Sequence, residues 1–220
     1  RPLMGVVLLV RHGQASWGAA DYDVLSTLGE EQAQLVGAAL ASRTPTPGAV
    51  VHGAMVRQRR SAEIAASGAG WGVGLTEDGD WDEMDHEAVL SALPAPFEGR
   101  DPTRAEFQHW FEAATGRWLG GEHDHDYHES FTAFTARVER ALARAVERAQ
   151  DSGSVVVFTS GGPIAWVTAS LTGGGATAHG RLAPVVVNTS ISTVVAGRRG
   201  ATFLTFNEHT HLDAAHLTYR

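Results

Sequence analysis

Residues 6–10, Val-Val-Leu-Leu-Val, are apolar without interruption and run straight into Arg11-His12-Gly13-Gln14. A strand with one wet face alternates apolar and polar residues, so an unbroken apolar run describes a strand covered on both faces. Such strands build largely parallel sheets with helices above and below. Ligands of these sheets bind beyond the carboxyl ends of the strands, and Arg11 and His12 fall there. Arginine offers a planar fork of donors for phosphate or carboxylate, histidine can act as a covalent nucleophile, and glycine lets backbone approach a ligand closely. Together they suit phosphoryl chemistry.

The rest of the chain continues the alternation of strand and helix. A strand over 5–10 is followed by a helix over 26–42, with Leu28, Leu35, Val36, Ala39 and Leu40 at helical spacing, which Thr44-Pro45-Thr46-Pro47-Gly48 ends. Strands are expected at 50–52 and 73–76, with a helix over 55–66 between them. Residues 81–127 change character, being rich in His, Trp, Pro and acidic residues, and read as a helical insertion that covers the active site. A helix over 130–150 returns to the core, its Arg137, Arg140, Arg144 and Arg148 forming a solvated face with acidic neighbours. A strand at 154–159, a helix opening on Gly161-Gly162-Pro163, and strands at 185–187, 190–195 and 201–206 complete the pattern, the last two as a hairpin around Gly197–Gly200. The expected architecture is a single α/β domain over 1–220, a three-layer α/β/α sandwich around a mostly parallel sheet.

Composition narrows the function classes. With 220 residues and 43% hydrophobic content the chain can bury a sizeable core. A formal net charge of −8 disfavours nucleic acid and anionic membranes as partners, so an anionic substrate has to be attracted locally by arginines. The absence of cysteine excludes disulfides, thiolate metal sites and a cysteine nucleophile. The apolar start is too short for a secretory leader and no run approaches membrane-spanning length, so a cytoplasmic protein is expected, with a homodimer compatible. His123, His125 and His128 form a tight histidine cluster whose spacing approaches a metallohydrolase motif, but Tyr127 stands where that motif has Asp, and no metal is expected there.

Two further segments carry a resemblance. Asp23-Val24-Leu25-Ser26-Thr27-Leu28-Gly29-Glu30-Glu31-Gln32-Ala33 opens one helix, and Arg57-Gln58-Arg59-Arg60-Ser61-Ala62-Glu63 begins another. With Arg11-His12-Gly13-Gln14 they resemble the histidine phosphatase superfamily, which includes the cofactor-dependent phosphoglycerate mutases. Trp81-Asp82-Glu83, Glu129-Ser130-Phe131 with Arg137-Val138, Gly161-Gly162-Pro163-Ile164, and Asn207 with His211-Leu212 extend the match over nearly the whole chain. The resemblance implies that His12 is a nucleophile forming phosphohistidine and that Arg11 and Arg57 clamp the phosphoryl oxygens. It implies a general acid at Glu83, with Asp82 and Asp85 as flanking alternatives. Gln14, Ser160, Gly161 and His52 are the expected substrate-side residues, Gln14 either ordering the loop or touching substrate. No metal or organic cofactor is implied, and the partner is a small phosphorylated metabolite or inorganic phosphate.

Two departures qualify this expectation. The family's second histidine, in a strand followed by His-Gly-Gly, is replaced here by Ser160-Gly161-Gly162, and Trp17-Gly18 stands where mutases carry Asn after Trp. A serine hydroxyl is a neutral donor, and charge-assisted bonds are about twice as strong, so reduced phosphatase activity is expected. His52 is the residue at hand to replace the missing imidazole in part, and restoring a histidine at 160 is expected to raise turnover. A catalytically impaired phospho-ligand-binding protein is the alternative. A phosphoglycerate mutase and a metallohydrolase stand further off.

Overall fold

The computed structural model describes residues 4–16, 23–97 and 99–219. Six strands form one sheet: β1 (Gly5–Arg11), β2 (Ala49–His52), β3 (Leu75–Glu77), β4 (Ser154–Thr159), β5 (Ile191–Gly197) and β6 (Gly200–Glu208), in the spatial order β3-β2-β4-β1-β5-β6. The β1–β4, β2–β4 and β2–β3 pairs are parallel, while β1–β5 and β5–β6 are antiparallel, so the sheet is mixed, with its parallel part on the side of the early strands. The described chain divides into two compact units, one from the amino-terminal part through Glu83 together with Val138 onward, the other Met84–Arg137.

In the first unit the unbroken apolar strands behave as their composition requires. Leu8, Val10, Val50, Val156 and Phe158, on one face of the sheet, share a core with Val36 and Leu40 of α1 (Thr27–Arg43) and Ala62 and Ala65 of α2 (Val56–Ala69). Val7, Leu9, Val155 and Val157 point the other way and are equally buried. Against that opposite face, Ala149 backbone approaches Gly5 closely. The α1 helix starts where sequence places it because Ser26 accepts a bond from the Gly29 amide, a side-chain N-cap.

The second unit contains α3 (His86–Ser91) and α4 (Arg104–Gly120), and α5 (Phe131–Ser152) begins in it and continues into the first. Thr103 and Glu106 form a reciprocal capping box at the start of α4. Trp118 packs edge-on to Phe131 at 5.0 Å and against Phe134 at 5.5 Å. The chain returns through β4 to α6 (Gly161–Leu171) and α7 (Gly175–Leu182).

Two expectations are corrected. Residues 185–187 are not a strand: Ala183–Val185 form a single helical turn around Pro184, which lacks the amide a ladder needs, and Val186 only passes through extended backbone. The expected third strand shifts to Leu75–Glu77, the residues that find partners on β2. Leu40 is fully buried among both layers. Leu40→Ala should therefore cost about 2–5 kcal/mol, read as a lower urea midpoint at unchanged slope.

Candidate active site

The parallel register of β1 and β4 pairs Val10 with Phe158 and Arg11 with Thr159, and His12 continues it by donating its amide to the Thr159 carbonyl at 2.8 Å. His12 and Ser160 are therefore level neighbours on adjacent strands. Both belong to the face packed by α1 and α2, because side chains alternate and Val10 and Phe158 lie on that face.

His12 is only 5% exposed. Its Nδ1 lies 2.7 Å from the carbonyl of Gly13, a group that can only accept, so Nδ1 carries the proton and Nε2 the lone pair. Arg57 Nε donates to that Nε2 at 3.2 Å. Burial, then the charge of Arg11, then that of Arg57 push the imidazole well below the usual histidine range, against an opposing contribution from the Gly13 carbonyl. The ring is held neutral, in the tautomer whose unprotonated nitrogen faces the arginine. Gly13 fits because α1 crosses it: a Cβ there would overlap the Gly29 carbonyl. Ser61 of α2 accepts the Gly13 amide at 3.0 Å and donates to the Arg57 carbonyl at 2.8 Å, tying the loop after His12 to the start of α2.

Arg57 sits in the first turn of α2 and pairs with Asp23 at 2.7 Å, whose carboxylate also accepts the Val56 amide at 2.8 Å. A carboxylate in that position marks an anion-attracting helix terminus. Arg11 projects from the other face of β1, donating to the carbonyls of Val186 and, at 3.0 Å, Tyr219, and its guanidinium carbon lies 3.8 Å from where a Cβ on Gly161 would be. Among the three acidic candidates, Glu83 is the one joined to the site: its Oε2 accepts the Gly162 amide at 2.9 Å, in the first turn of α6. Asp82 accepts the Ala54 amide at 2.6 Å, and Asp85 caps α3 through Ala88. Gln14 orders the loop, its amide bonding Gln32 at 2.8 Å and its side chain accepting from Ser26 at 2.9 Å.

His52 is placed differently from Ser160. It pairs in register with Phe158, one pleat of about 6.8 Å behind Ser160 along the strands, and its Nδ1 faces the Gly53 carbonyl at 2.7 Å. What stands against Ser160 is Gln58, whose Nε2 donates to Ser160 Oγ at 2.8 Å, both residues fully buried. Trp17-Gly18 lie outside the described residues. No group of three or more His, Asp or Glu side chains able to hold a metal occurs among the described residues, nor does any helix among them that is long and apolar enough to cross a membrane.

Several supporting residues escaped the sequence reading. Asn188 donates to the His12 carbonyl at 3.1 Å, and Thr189, held at φ 61°, donates its amide to the Arg11 carbonyl at 3.0 Å. Behind them, Gln32 donates to the His216 carbonyl at 2.7 Å and to Thr218 Oγ1 at 2.8 Å, and Thr218 bonds Asn188 through both its carbonyl and its hydroxyl. Asp23 had a sequence signal, a carboxylate just ahead of the Leu-Ser pair that opens α1, but nothing in its spacing names Arg57 as partner.

Because His12 resists protonation, the ring nitrogen shifts of His12 in an NMR titration should still report a neutral imidazole as pH falls through 6.5; a protonation midpoint at or above that value would contradict the tautomer described. Ser160→His meets the buried Gln58 amide. It should therefore lower thermal stability by about 1–3 kcal/mol from overpacking and leave turnover without the gain expected from sequence.

Similar chains carry the same architecture. A phosphoglycerate mutase from Bacillus anthracis superposes with a TM-score of 0.67 at 18% identity over 94% of this chain and 95% of its own. A mycobacterial glucosyl-3-phosphoglycerate phosphatase gives 0.65 at 19% over 94% and 100%. A phosphoserine phosphatase from Entamoeba histolytica gives 0.70 at 16% over 95% and 100%. No curated protein sequence matches the chain. The family model of the histidine phosphatase superfamily (branch 1) matches residues 7–209, and the chain belongs to that superfamily.

Proposed function

We propose that the chain is a phosphomonoester hydrolase acting through a phosphohistidine on His12, its substrate a small phosphorylated metabolite. The observation that carries this reading is the state of His12: neutral, with Nδ1 bound to a carbonyl and Nε2 opposed by a guanidinium. The superfamily and its phosphatase and mutase relatives agree with phosphatase- or mutase-type chemistry.

In the first displacement the Nε2 lone pair attacks phosphorus, the ester P–O bond breaks, and its electron pair leaves with the departing oxygen, which takes a proton from Glu83. In the second, water attacks phosphorus and gives a proton to the Glu83 carboxylate, the P–N bond breaks, its pair returns to Nε2, and phosphate departs. Arg57 stabilises the charge on the non-bridging oxygens directly, and Arg11, bonded to the Val186 and Tyr219 carbonyls, does so through the field it also exerts on His12. Ser160 brings no cation to those oxygens, and the loss of a donor of that kind amounts to about 2–4 kcal/mol of transition-state stabilisation, so turnover is reduced. A phospho-ligand-binding protein is the second reading, favoured by the uncharged, fully buried Ser160.

Incubation with p-nitrophenyl phosphate followed by an alkaline denaturing quench and peptide mass spectrometry should find phosphate on His12. His12→Ala should abolish turnover with the fold intact. A wild-type chain that binds inorganic phosphate, never acquires phosphate on His12 and hydrolyses no phosphomonoester in a broad panel would establish the binding reading instead.

A further inference from the structure

Helix α2 delivers two consecutive side chains to the end of the sheet. Arg57 goes to His12 on β1; Gln58 goes to Ser160 at the end of β4. The carboxamide has two N–H groups, and the second reaches the Trp81 carbonyl at 3.3 Å. That carbonyl also accepts from Thr159 Oγ1 at 2.5 Å. Trp81 is almost fully buried, so its carbonyl depends on these donors rather than on water. At Gly53 a Cβ would overlap Gln58 Oε1 and crowd Asp82 Oδ1, so the glycine leaves room for both. Two residues beyond Trp81 comes Glu83, bound to the Gly162 amide.

We propose that Gln58 is a positioning residue for the leaving-group acid Glu83, and that a serine stands at 160, just after β4, because Gln58 occupies the space a larger side chain would fill. The inference rests on the phosphatase reading. Gln58 couples the helix that carries the clamp to the segment that carries the acid, through a carbonyl two residues from Glu83. When the ester P–O bond breaks, the proton of Glu83 must lie within hydrogen-bond reach of the departing oxygen. A displacement of about 1 Å is enough to cost a large factor in rate. An alkoxide leaves only with that proton, whereas p-nitrophenolate leaves as a stable anion. Loss of Gln58 should therefore separate the two classes of substrate, which a general loosening of the fold would not do.

The test is Gln58→Met, which keeps the length and removes both donors, assayed with glycerol phosphate and with p-nitrophenyl phosphate, and with inorganic phosphate as a competitive inhibitor to report on the clamp. The expected result is a fall in kcat/KM, which reports the first displacement alone, of about ten- to a hundredfold for glycerol phosphate, with kcat/KM for p-nitrophenyl phosphate kept within about threefold and phosphate inhibition unchanged. Should Gln58→Met fail to give a cooperative melt, Gln58→Glu retains the shape, loses the donor to Trp81, and should show the same split. Equal losses on both substrates, or no loss on either, would overturn the proposal and leave the phosphatase reading standing. Absence of wild-type turnover together with an unmodified His12 would remove both.

Discussion

The parallel pairing of β1 with β4 is the constraint on which the site depends. It sets His12 level with Ser160, on the face covered by α1 and α2. Because the register fixes which side chains emerge together, α2 needs only one turn to serve both strands: Arg57 to the first, Gln58 to the second, Ser61 to the loop between strand and helix. Shifting the pairing by one residue would send His12 to the opposite face and leave Arg57 without it.

Much of this could be read from residues alone. The uninterrupted apolar runs at β1 and β4 announced strands buried on both faces, and Arg11-His12-Gly13 announced a polar cluster just beyond the carboxyl end of β1. The motif register favoured Glu83 over Asp82 and Asp85, but their different partners, the amides of Gly162, Ala54 and Ala88, could not be read from three carboxylates within four residues. The position of His52 one pleat behind Ser160 was not legible, because sequence shows that a residue ends a strand but not how far along the sheet that end lies. The roles of Asn188, Thr189 and Gln32 were not legible for a related reason: many of their partners are backbone groups, most of them far away in the chain, and a carbonyl has no residue identity to recognise.

Ser160 illustrates how a departure from a pattern changes meaning with context. Counted singly, it is a donor lost. Seen with Gln58, Gly53 and the Trp81 carbonyl, it is one member of a buried polar group whose donors and acceptors meet one another. Such groups are costly when half satisfied, so single replacements within them tend to fail where paired ones succeed. On the far side of the same segment, Arg144 holds Asp78 and Asp80 at 2.8 Å each, so the stretch leading to Glu83 is anchored from α5 as well as from α2.

The bonds from Gln32 to His216 and from Arg11 to Tyr219 span 184 and 208 positions of sequence. Contacts of that range must pay for closing a very long loop before they return anything. During synthesis, β1 and the histidine loop emerge early yet lack these partners, and β4, which aligns His12, is also still to come. The nascent chain therefore carries His12 with none of its framework around it. The pocket is completed late and all together, when residues 216–219 close over loops made long before.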